Sequence, residues 1–434
     1  MEPITIGLLG LVALMVILFC TNMPVGFAMA LVGFCGFAAV VNPQAAMSSM
    51  TSSLWEVFSS YGLTVIPFFI FMGNICFNAG VSNRLYKAAY TWIGHVRGGI
   101  SMATVLACAG FAAICGSNAA TAATMSAVAL PEMKKFNYHP SLATGSVACG
   151  ATLGVVIPPS VVLIVIGLST GESIAKLFFA ALIPGLLLTS LFILTIWLLC
   201  LRNPELGPKG PKTTFKEKLR SLPGSIEMLT LFALIMSGLF LGWFTATEAG
   251  AAGAFFSIII SVVGKHLTWK KFLAALRDSV KMSCMIMMIV GGAVVFGRFL
   301  TVTRLPFEVA DWVASLPIPG VVVLLLMLAL YTLGGALMDA LGLLMITIPI
   351  FFPVALRLGY DPLWFAVIIT VITTMGAVTP PVGVNTYIVA AMAPDVEIGT
   401  VFRGVSWFLI AFVVCVALMI MFPAMATWLP ALLS

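Results

Sequence analysis

The chain has 434 residues, of which 61% are hydrophobic and only 8% charged, and its formal net charge at pH 7 is +6. A soluble domain carries about 25% charged residues, so this chain cannot cover a water-facing surface of its size. The composition excludes a soluble enzyme, a secreted scaffold and a nucleic-acid-binding protein. It predicts an all-α polytopic membrane protein in contact with lipid.

Apolar runs of the length that crosses a bilayer, about 20 residues, follow one another along most of the chain. The first begins near the N-terminus without a basic flank or a cleavage site, so we interpret it as a span and not as a signal peptide. The predicted spans cover approximately 4–22, 24–42, 60–80, 174–201, 225–244, 246–264, 282–303 and 405–432.

Four further apolar regions do not have the pattern of a simple span. Residues 100–135 and 321–356 are each too long for one crossing and have small and polar residues at their centres. Residues 140–170 and 362–393 are each interrupted by a cluster of Gly and Pro. The first two regions are predicted to be hairpins, and the last two are predicted to be broken helices.

The longest polar stretch, residues 202–224, is predicted to be a cytoplasmic linker. Its basic residues outnumber its acidic ones, and an excess of Lys and Arg is typical of cytoplasmic loops. A solvated loop on an unassigned side of the membrane is the alternative. The basic residues of this linker are Arg202, Lys209, Lys212, Lys216, Lys218 and Arg220.

Residues 100–135 have basic side chains near both ends. The same rule places all of these charges in the cytoplasm, so the chain must enter and leave the membrane on one side, as a re-entrant hairpin. The charges that flank this hairpin are Arg84, Lys87, Arg97, Lys134 and Lys135.

The two broken regions repeat one spacing of Tyr, Pro and Gly. Every residue of the first pattern returns 222 positions later, and the apolar runs obey the same shift. We therefore predict a duplication, residues 1–201 and 225–434, joined by the linker 202–224. Five crossings in each half is an odd number, so the halves should be inverted repeats, an arrangement typical of secondary transporters. The shared pattern is Tyr138, Pro140, Gly154, Pro158 and Pro159, which matches Tyr360, Pro362, Gly376, Pro380 and Pro381.

The centre of the first hairpin and the first broken helix offer neutral oxygen ligands. Ser117, Asn118 and Thr121 follow Gly116, which allows the chain to reverse. The prolines of the break leave upstream carbonyls without N–H partners, and Thr152 adds a hydroxyl. Neutral oxygens suit a hard cation such as sodium, whereas transition metals favour His or Cys ligands. We expect sodium ions, two or more, and no organic cofactor or nucleotide site.

The second hairpin repeats this arrangement with one carboxylate. Asp339 occupies the position that corresponds to Ser117, and we expect it to be buried at membrane depth. An ionisable group inside a membrane is a functional-site candidate, which favours cation coordination. The alternative is a structural hydrogen bond to the backbone of the hairpin.

Other charged residues have competing structural interpretations. Thr245 and Glu248 fit a capping box, and Asp361 fits an N-cap before a proline. Arg298 and Arg304 are candidates to clamp an anionic substrate, although both side chains could instead extend to the membrane interface.

These motifs resemble the large membrane subunit of tripartite ATP-independent periplasmic (TRAP) transporters over essentially the whole chain. The resemblance rests on Gly116-Ser-Asn-Ala-Ala-Thr-Ala-Ala-Thr, Leu130-Pro-Glu-Met, Gly154-Val-Val-Ile-Pro-Pro-Ser160, Phe296-Gly-Arg-Phe-Leu-Thr301 and Gly376-Ala-Val-Thr-Pro-Pro-Val-Gly383-Val-Asn.

The resemblance implies an elevator-type architecture of the ion-transporter superfamily and sodium-coupled import of a small organic anion in the bacterial inner membrane. It also implies two partners, a small four-helix membrane subunit and a periplasmic substrate-binding protein. Because the first repeat begins almost at residue 4, we expect the small subunit to be a separate chain. Many members have an arginine directly after the pair that matches Leu300-Thr301, where this chain has Val302.

The resemblance also assigns roles to residues of the hairpins and breaks, and no residue is expected to be catalytic. The implied sodium ligands are Ser117, Asn118, Gly150, Thr152, Gly154, Pro158, Asp339, Thr373, Gly376 and Thr379. The candidate substrate ligands are Arg298, Arg304, Asn118, Thr121 and Asn385.

Three other functions compete with this interpretation. A self-contained divalent-anion/sodium symporter would share the repeat architecture and need no binding protein. A membrane-embedded enzyme would need a nucleophile–base pair or a metal site, which three histidines in separate loops do not supply. A channel would conduct ions without saturable uptake.

Overall fold

The computed structural model describes residues 2–211, 213–315 and 317–432, so Lys212 of the linker lies outside the described residues. The secondary structure of the described residues is helical throughout. Nine of the described helices are long and apolar enough to cross a membrane, or up to ten if the bent pair Pro43–Ser59 and Gly62–Asn78 is one span. The all-α, multi-pass membrane architecture that the sequence predicts is therefore confirmed.

The last helix of the first half has 29 residues. They are α1 (Pro3–Cys20), α2 (Val25–Val40), α3 (Pro43–Ser59), α4 (Val65–Asn78), α5 (Val81–Ile93), α6 (Gly99–Cys115), α7 (Asn118–Lys135), α8 (Pro140–Val156), α9 (Val161–Thr170) and α10 (Ile174–Arg202).

The linker contributes one short helix, and the second half then follows the same order. These helices are α11 (Phe215–Ser221), α12 (Pro223–Phe240), α13 (Ala246–Val263), α14 (Trp269–Val302), α15 (Leu305–Ser315), α16 (Gly320–Leu337), α17 (Ala340–Arg357), α18 (Pro362–Gly376), α19 (Val384–Met392), α20 (Ile398–Met421) and α21 (Ala424–Ala431).

Helices of the two halves correspond along the chain. Helices α7 and α17 begin and end 222 residues apart, and so do the first residues of α8 and α18. Both breaks contain a proline pair with a cis peptide bond, Pro158-Pro159 and Pro380-Pro381. In each half a hairpin is followed by a broken helix and then by a long helix.

Short helices without a long apolar run were missed by the sequence analysis. Helix α3 starts where Asn42 accepts a hydrogen bond from the backbone N–H of Ala45, with Pro43 in the first turn. Helix α5 is amphipathic, with Val81 and Leu85 on its buried face. Such helices contain no continuous apolar run, because only one of their faces is apolar, so a search for apolar runs does not detect them.

Two predicted spans have different limits in the structure. The span predicted at 282–303 is the second part of α14, a single helix of 34 residues. The prediction of one span at 405–432 is wrong, because α20 begins at Ile398 and ends at Met421. The chain then turns at Phe422 and Pro423, and α21 begins at Ala424.

The two broken helices form the centre of the molecule. In α8 every residue from Ser141 to Val156 is buried, whereas only Gly7 and Leu14 are buried in α1. Helix α8 packs against α6, α7, α10 and α20. The helices that lead into the two breaks, α8 and α18, are therefore strongly enclosed, whereas α19, which follows the second break, is largely open.

Candidate functional site

The turn of the first hairpin lies directly on the first break. Gly116 has a φ of +60°, a left-handed conformation that favours glycine, and Ser117 caps α7 by accepting a hydrogen bond from the N–H of Ala120 at 3.5 Å. A Cβ on Gly116 would lie 3.2 Å from the backbone nitrogen of Val161, the first residue of α9. The hairpin tip and the break are thus in van der Waals contact.

The irregular segment of the first break is shorter than the sequence predicts. Helix α8 continues through Val156, so Gly150, Thr152 and Gly154 lie inside the helix and not in irregular backbone. Pro158 lies in the irregular segment and is buried. A Cβ on Gly154 would lie 2.8 Å from the carbonyl oxygen of Ser117, so the helix approaches the tip through a position that only glycine fits.

The second break packs on α16, the helix that leads into the second tip. A Cβ on Gly376 would lie 2.5 Å from the carbonyl oxygen of Thr332, and a Cβ on Gly335 would lie 2.5 Å from that of Thr373. Beyond the break, the N–H of Gly383 donates to the carbonyl of Ala336 at 3.0 Å. This second tip is therefore held against its own break by close backbone packing and a hydrogen bond.

Each hairpin also packs on the other half of the chain. Helix α7 contacts α19, and α17 contacts α9. The hydroxyl of Ser169 at the end of α9 lies 3.6 Å from the sulfur of Met345 on α17. Because each tip meets its own break while each outgoing arm meets the opposite broken helix, the four elements form one cluster built by both halves.

Threonine hydroxyls in this cluster donate their hydrogens to helix carbonyls. A hydroxyl that donates its one hydrogen keeps oxygen lone pairs, which are the ligands that hard cations prefer. The donors and acceptors are Thr121 to Ser117 at 2.8 Å, Thr152 to Cys149 at 2.6 Å, Thr373 to Ile369 at 2.6 Å and Thr379 to Met375 at 2.7 Å.

Two asparagine side chains in the cluster are buried with an unused polar atom. Asn118, the first residue of α7, is 7% exposed, and Asn385, in the first turn of α19, is 1% exposed. Neither Oδ1 of Asn118 nor Nδ2 of Asn385 has a hydrogen-bond partner among the described residues. An unpaired buried polar atom costs about 1–3 kcal/mol, so these two atoms mark a place where a ligand can supply the missing partners.

Asp339 lies at the second tip, and the expectation that it is buried is met only in part, because many protein atoms surround its carboxyl group while solvent still reaches it. Its side chain is exposed in this chain, and its Oδ2 accepts a hydrogen bond from the N–H of Leu341 at 3.1 Å. Asp339 is thus the N-cap of α17, as Ser117 is of α7.

Arg298 has a partner that the sequence analysis did not predict. Its guanidinium forms an ion pair with Glu56 at 2.7 Å and donates to the hydroxyl of Ser52 at 2.9 Å. Both partners belong to α3. Arg304 lies at the turn before α15, where its φ is +58° and its side chain is exposed.

Two other charged residues cap helices, as predicted. Thr245 and Glu248 form a capping box at the start of α13, with the N–H of Thr245 donating to Glu248 at 2.8 Å. Asp361 accepts a hydrogen bond from the N–H of Trp364 at 2.9 Å. The structural interpretation of Glu248 and Asp361 is therefore confirmed.

A cavity of about 330 Å³ lies beside the second hairpin, between α9, α14, α15 and α17. Its hydroxyl-bearing residues are Ser169 and Thr301, and no charged side chain lines it. Among the described residues no group of three or more His, Cys, Asp or Glu is arranged to hold a metal ion. The tips and breaks, with their oxygens and unpaired amides, are the better candidate for binding a charged ligand.

Neither Gly383 nor Thr386 was predicted from the sequence to be a site residue. The φ of Gly383 is +62°, and the hydroxyl of Thr386 donates to the carbonyl of Val378 at 3.1 Å. Together they fold the second break back on itself. A Gly three residues after a Pro was the available signal for Gly383, while nothing in the sequence distinguishes Thr386.

Comparisons with known proteins agree with this arrangement. A family model described as the tripartite ATP-independent periplasmic transporter, DctM component, matches residues 11–425. The C4-dicarboxylate TRAP transporter large permease protein DctM of Pseudomonas aeruginosa is 33% identical over 383 residues, which cover 88% of this chain and 89% of that protein. The sialic acid TRAP transporter large permease protein SiaM of Vibrio cholerae is 29% identical and covers 95% of each chain.

A further relative and one solved structure extend these matches. The 2,3-diketo-L-gulonate TRAP transporter large permease protein YiaN of Escherichia coli is 32% identical, covering 77% of this chain and 78% of that protein. The crystal structure of the Alcanivorax borkumensis YdaH transporter has the same fold, with a TM-score of 0.64 at 16% identity, covering 89% of this chain and 90% of that one. With a family match over residues 11–425, this chain belongs to the DctM component family of TRAP transporters, so it is a large permease subunit, a membrane transporter and not an enzyme.

Proposed function

We propose that this chain imports a small organic anion across the bacterial inner membrane and couples the import to sodium entry. The observation that carries the proposal is the pair of unpaired amides, Asn118 and Asn385, buried beside the two tip–break contacts. They come from different halves of the chain, so a ligand bound there would join the two repeats.

Sodium would bind at each tip–break contact. The threonine hydroxyls there keep free lone pairs, and the ends of α6, α8, α16 and α18 supply carbonyl oxygens at the negative ends of helix dipoles. Two ions follow from the two contacts. In this proposal the ligands are Ser117, Asn118, Gly150, Thr152, Gly154 and Pro158 in the first half, and Asp339, Thr373, Gly376 and Thr379 in the second.

The substrate anion would bind between the two contacts, with Asn118, Thr121 and Asn385 as candidate ligands. The unpaired Nδ2 of Asn385 can donate to the anion directly, whereas the unpaired Oδ1 of Asn118 suits the sodium ion, and Thr121 would first have to release its hydrogen bond to Ser117. Helices α7, α9, α17 and α19 begin at the tips and breaks, and helix N-termini attract anions. Arg304 has an exposed side chain that could reach an anion, whereas Arg298 would first have to open its ion pair with Glu56.

The movement would be that of an elevator. Both hairpins and both broken helices, within 100–170 and 321–393, would move as one body because they pack on each other across the halves. The remaining helices would form the scaffold. The repeats 1–201 and 225–434 would be inverted, as expected from five crossings in each.

Two partners complete the proposal, a small four-helix membrane subunit and a periplasmic substrate-binding protein. Relatives are named for C4-dicarboxylate, sialic acid and 2,3-diketo-L-gulonate, which are all organic acids. An organic acid delivered by the binding protein is therefore the substrate class to test first.

The test is uptake of these acids by proteoliposomes that contain this chain and its small subunit, with the binding protein outside. We expect saturable uptake that requires an inward sodium gradient and stops when potassium replaces sodium. Uptake of equal rate without the binding protein would favour the self-contained symporter. Ion flux without saturable uptake would favour a channel.

Removal of either unpaired amide is the first variant to test. Asn118→Ala and Asn385→Ala should each reduce uptake at least tenfold, because each loses a ligand hydrogen bond worth about 1.5–3 kcal/mol to a charged group. Asn83→Ala, at an exposed position on α5, is the matched control and should transport at the wild-type rate. Normal uptake by both test variants would contradict the proposed site.

A further inference from the structure

The short linker helix α11 has a composition suited to a membrane surface. Phe215 is 71% exposed and Leu219 is 50% exposed, and residues four apart lie on the same face of a helix. Lys216 and Lys218 flank this apolar edge, and Arg220 follows. Apolar residues bordered by lysine and arginine are typical of helices that lie in the interface between lipid and water.

Backbone hydrogen bonds hold the linker against the first half of the chain. Gly98 donates to the carbonyl of Gly207 at 2.8 Å, and Gly210 donates to that of Gly94 at 3.0 Å. The hydroxyl of Thr213 donates to the carbonyl of Thr91 at 2.7 Å. The segment that leads into α11 is therefore docked on the end of α5 and is not a free loop.

The position of α11 relative to the membrane follows from its neighbours. Helix α10 ends at Arg202 and α12 starts at Pro223, and both are long and apolar enough to be spans. On the adjacent α5, Trp92 is 39% exposed, and the ammonium of Lys218 lies 5.9 Å from the centre of its ring. Tryptophan and tyrosine are enriched at membrane interfaces, so this surface lies at the level of the lipid headgroups.

The single acid of α11 does not neutralise this surface. Glu217 forms a capping box with Thr214, whose N–H donates to its carboxylate at 2.7 Å. That hydrogen bond holds the pKa of Glu217 below its usual range, so the carboxylate stays ionised while it is used at the start of the helix. Lys216 and Arg220 remain exposed beside the apolar edge.

We propose that α11 and the end of α5 form a docking surface for anionic phospholipids of the cytoplasmic leaflet. Phe215, Leu219 and Trp92 enter the interface, while Lys216, Lys218 and Arg220 bind the negative headgroups. Basic residues near an anionic membrane surface contribute about 1 kcal/mol each, and the attraction falls off within a Debye length. This surface is remote in sequence from the tips and breaks, so it does not depend on which anion is transported.

Hydrogen–deuterium exchange of the full-length chain in nanodiscs tests the proposal. The backbone amides of residues 215–221 should exchange at least about fivefold more slowly in discs with phosphatidylglycerol than in phosphatidylcholine alone, the factor that corresponds to about 1 kcal/mol. Helix α15 is the control, because it exposes Phe307 and Trp312 but carries the acids Glu308 and Asp311. Its exchange should be the same in both lipids.

A variant and a salt titration decide the cause of any slowing. The triple variant Lys216→Gln, Lys218→Gln and Arg220→Gln should lose the effect of phosphatidylglycerol and keep the wild-type exchange in phosphatidylcholine. High salt should remove the effect from the wild-type chain, which needs no variant to fold. Equal exchange of the wild-type chain in both lipids, or slowing that persists in the triple variant or at high salt, would overturn the proposal. Protection that appears only when the small subunit is added would assign the surface to that protein instead.

Discussion

The two hairpin tips have the same helix limits but differ in chemistry and enclosure. The first tip has Ser117 as its N-cap and rests on a break whose prolines, Pro158 and Pro159, are buried. The second has Asp339 and rests on a break whose prolines, Pro380 and Pro381, are exposed. Two hairpins with matching helix limits thus carry an enclosed neutral tip and a solvent-accessible acidic one.

This difference indicates from which side a ligand can reach the cluster. Irregular backbone at membrane depth is tolerated only where protein or water covers it. The second break and Asp339 are exposed on this chain, so they face a water-filled space or a partner chain and not lipid. We infer that a ligand reaches the cluster from the side of the second tip, while the first tip is covered by the surrounding core.

The largest effects on stability and uptake should come from replacing the glycines at the two breaks with alanine, because the added Cβ has no space there. Gly154→Ala would place a Cβ 2.8 Å from the carbonyl of Ser117, in surroundings that cannot relax. Overpacking of this kind costs about 1–3 kcal/mol, so we expect a lower thermal midpoint together with at least tenfold less uptake. Gly376→Ala makes a tighter clash, 2.5 Å from the carbonyl oxygen of Thr332 inside α16, so uptake and the thermal midpoint should both fall at least as far.

Thermal unfolding in detergent and uptake by proteoliposomes measure these two effects. Gly399→Ala is the control, since the nearest atom to an added Cβ is 3.9 Å away. A thermal midpoint in Gly376→Ala that stays at the wild-type value would show that α16 shifts to make room for the added Cβ, which would contradict close packing at the second break.

An intermediate effect is expected at the carboxylate of the second tip. Asp339→Asn keeps the helix cap, because Asn caps as well as Asp, but removes the charge. A unit charge about 4 Å from a cation in a water-like medium contributes about 1 kcal/mol, so the sodium concentration for half-maximal uptake should rise about fivefold. Asp361→Asn, which alters an N-cap without a predicted sodium role, should leave the sodium dependence unchanged. An unaltered sodium titration in Asp339→Asn would limit Asp339 to capping.

The smallest effect is expected at Arg298. Its ion pair with Glu56 is partly exposed, and such pairs contribute about 0–1 kcal/mol. Arg298→Gln and Glu56→Gln should therefore reduce uptake by less than about fivefold and to a similar extent. A large loss confined to Arg298→Gln, at equal expression, would make Arg298 a substrate ligand.

Local rules made much of the site predictable. Glycines and prolines at positions 222 residues apart indicate the turns and breaks. Capping residues such as Asp361 and Glu248 indicate where helices begin. Pairing across long sequence separations was not predictable, because no local pattern encodes it. The ion pair of Arg298 with Glu56 is one such contact. The accessibility of Asp339 to solvent was not predictable for the same reason, because it depends on which distant residues pack around the tip.

The central claim, one binding site built by both halves, is tested most directly by a double-mutant cycle on Asn118 and Asn385. Residues that share a ligand have coupled effects, whereas independent sites have additive ones. We expect the substrate concentration for half-maximal uptake in the double Ala variant to be close to that of the more affected single variant. If the two single effects instead multiply in the double variant, Asn118 and Asn385 act at separate places, and the shared site is contradicted.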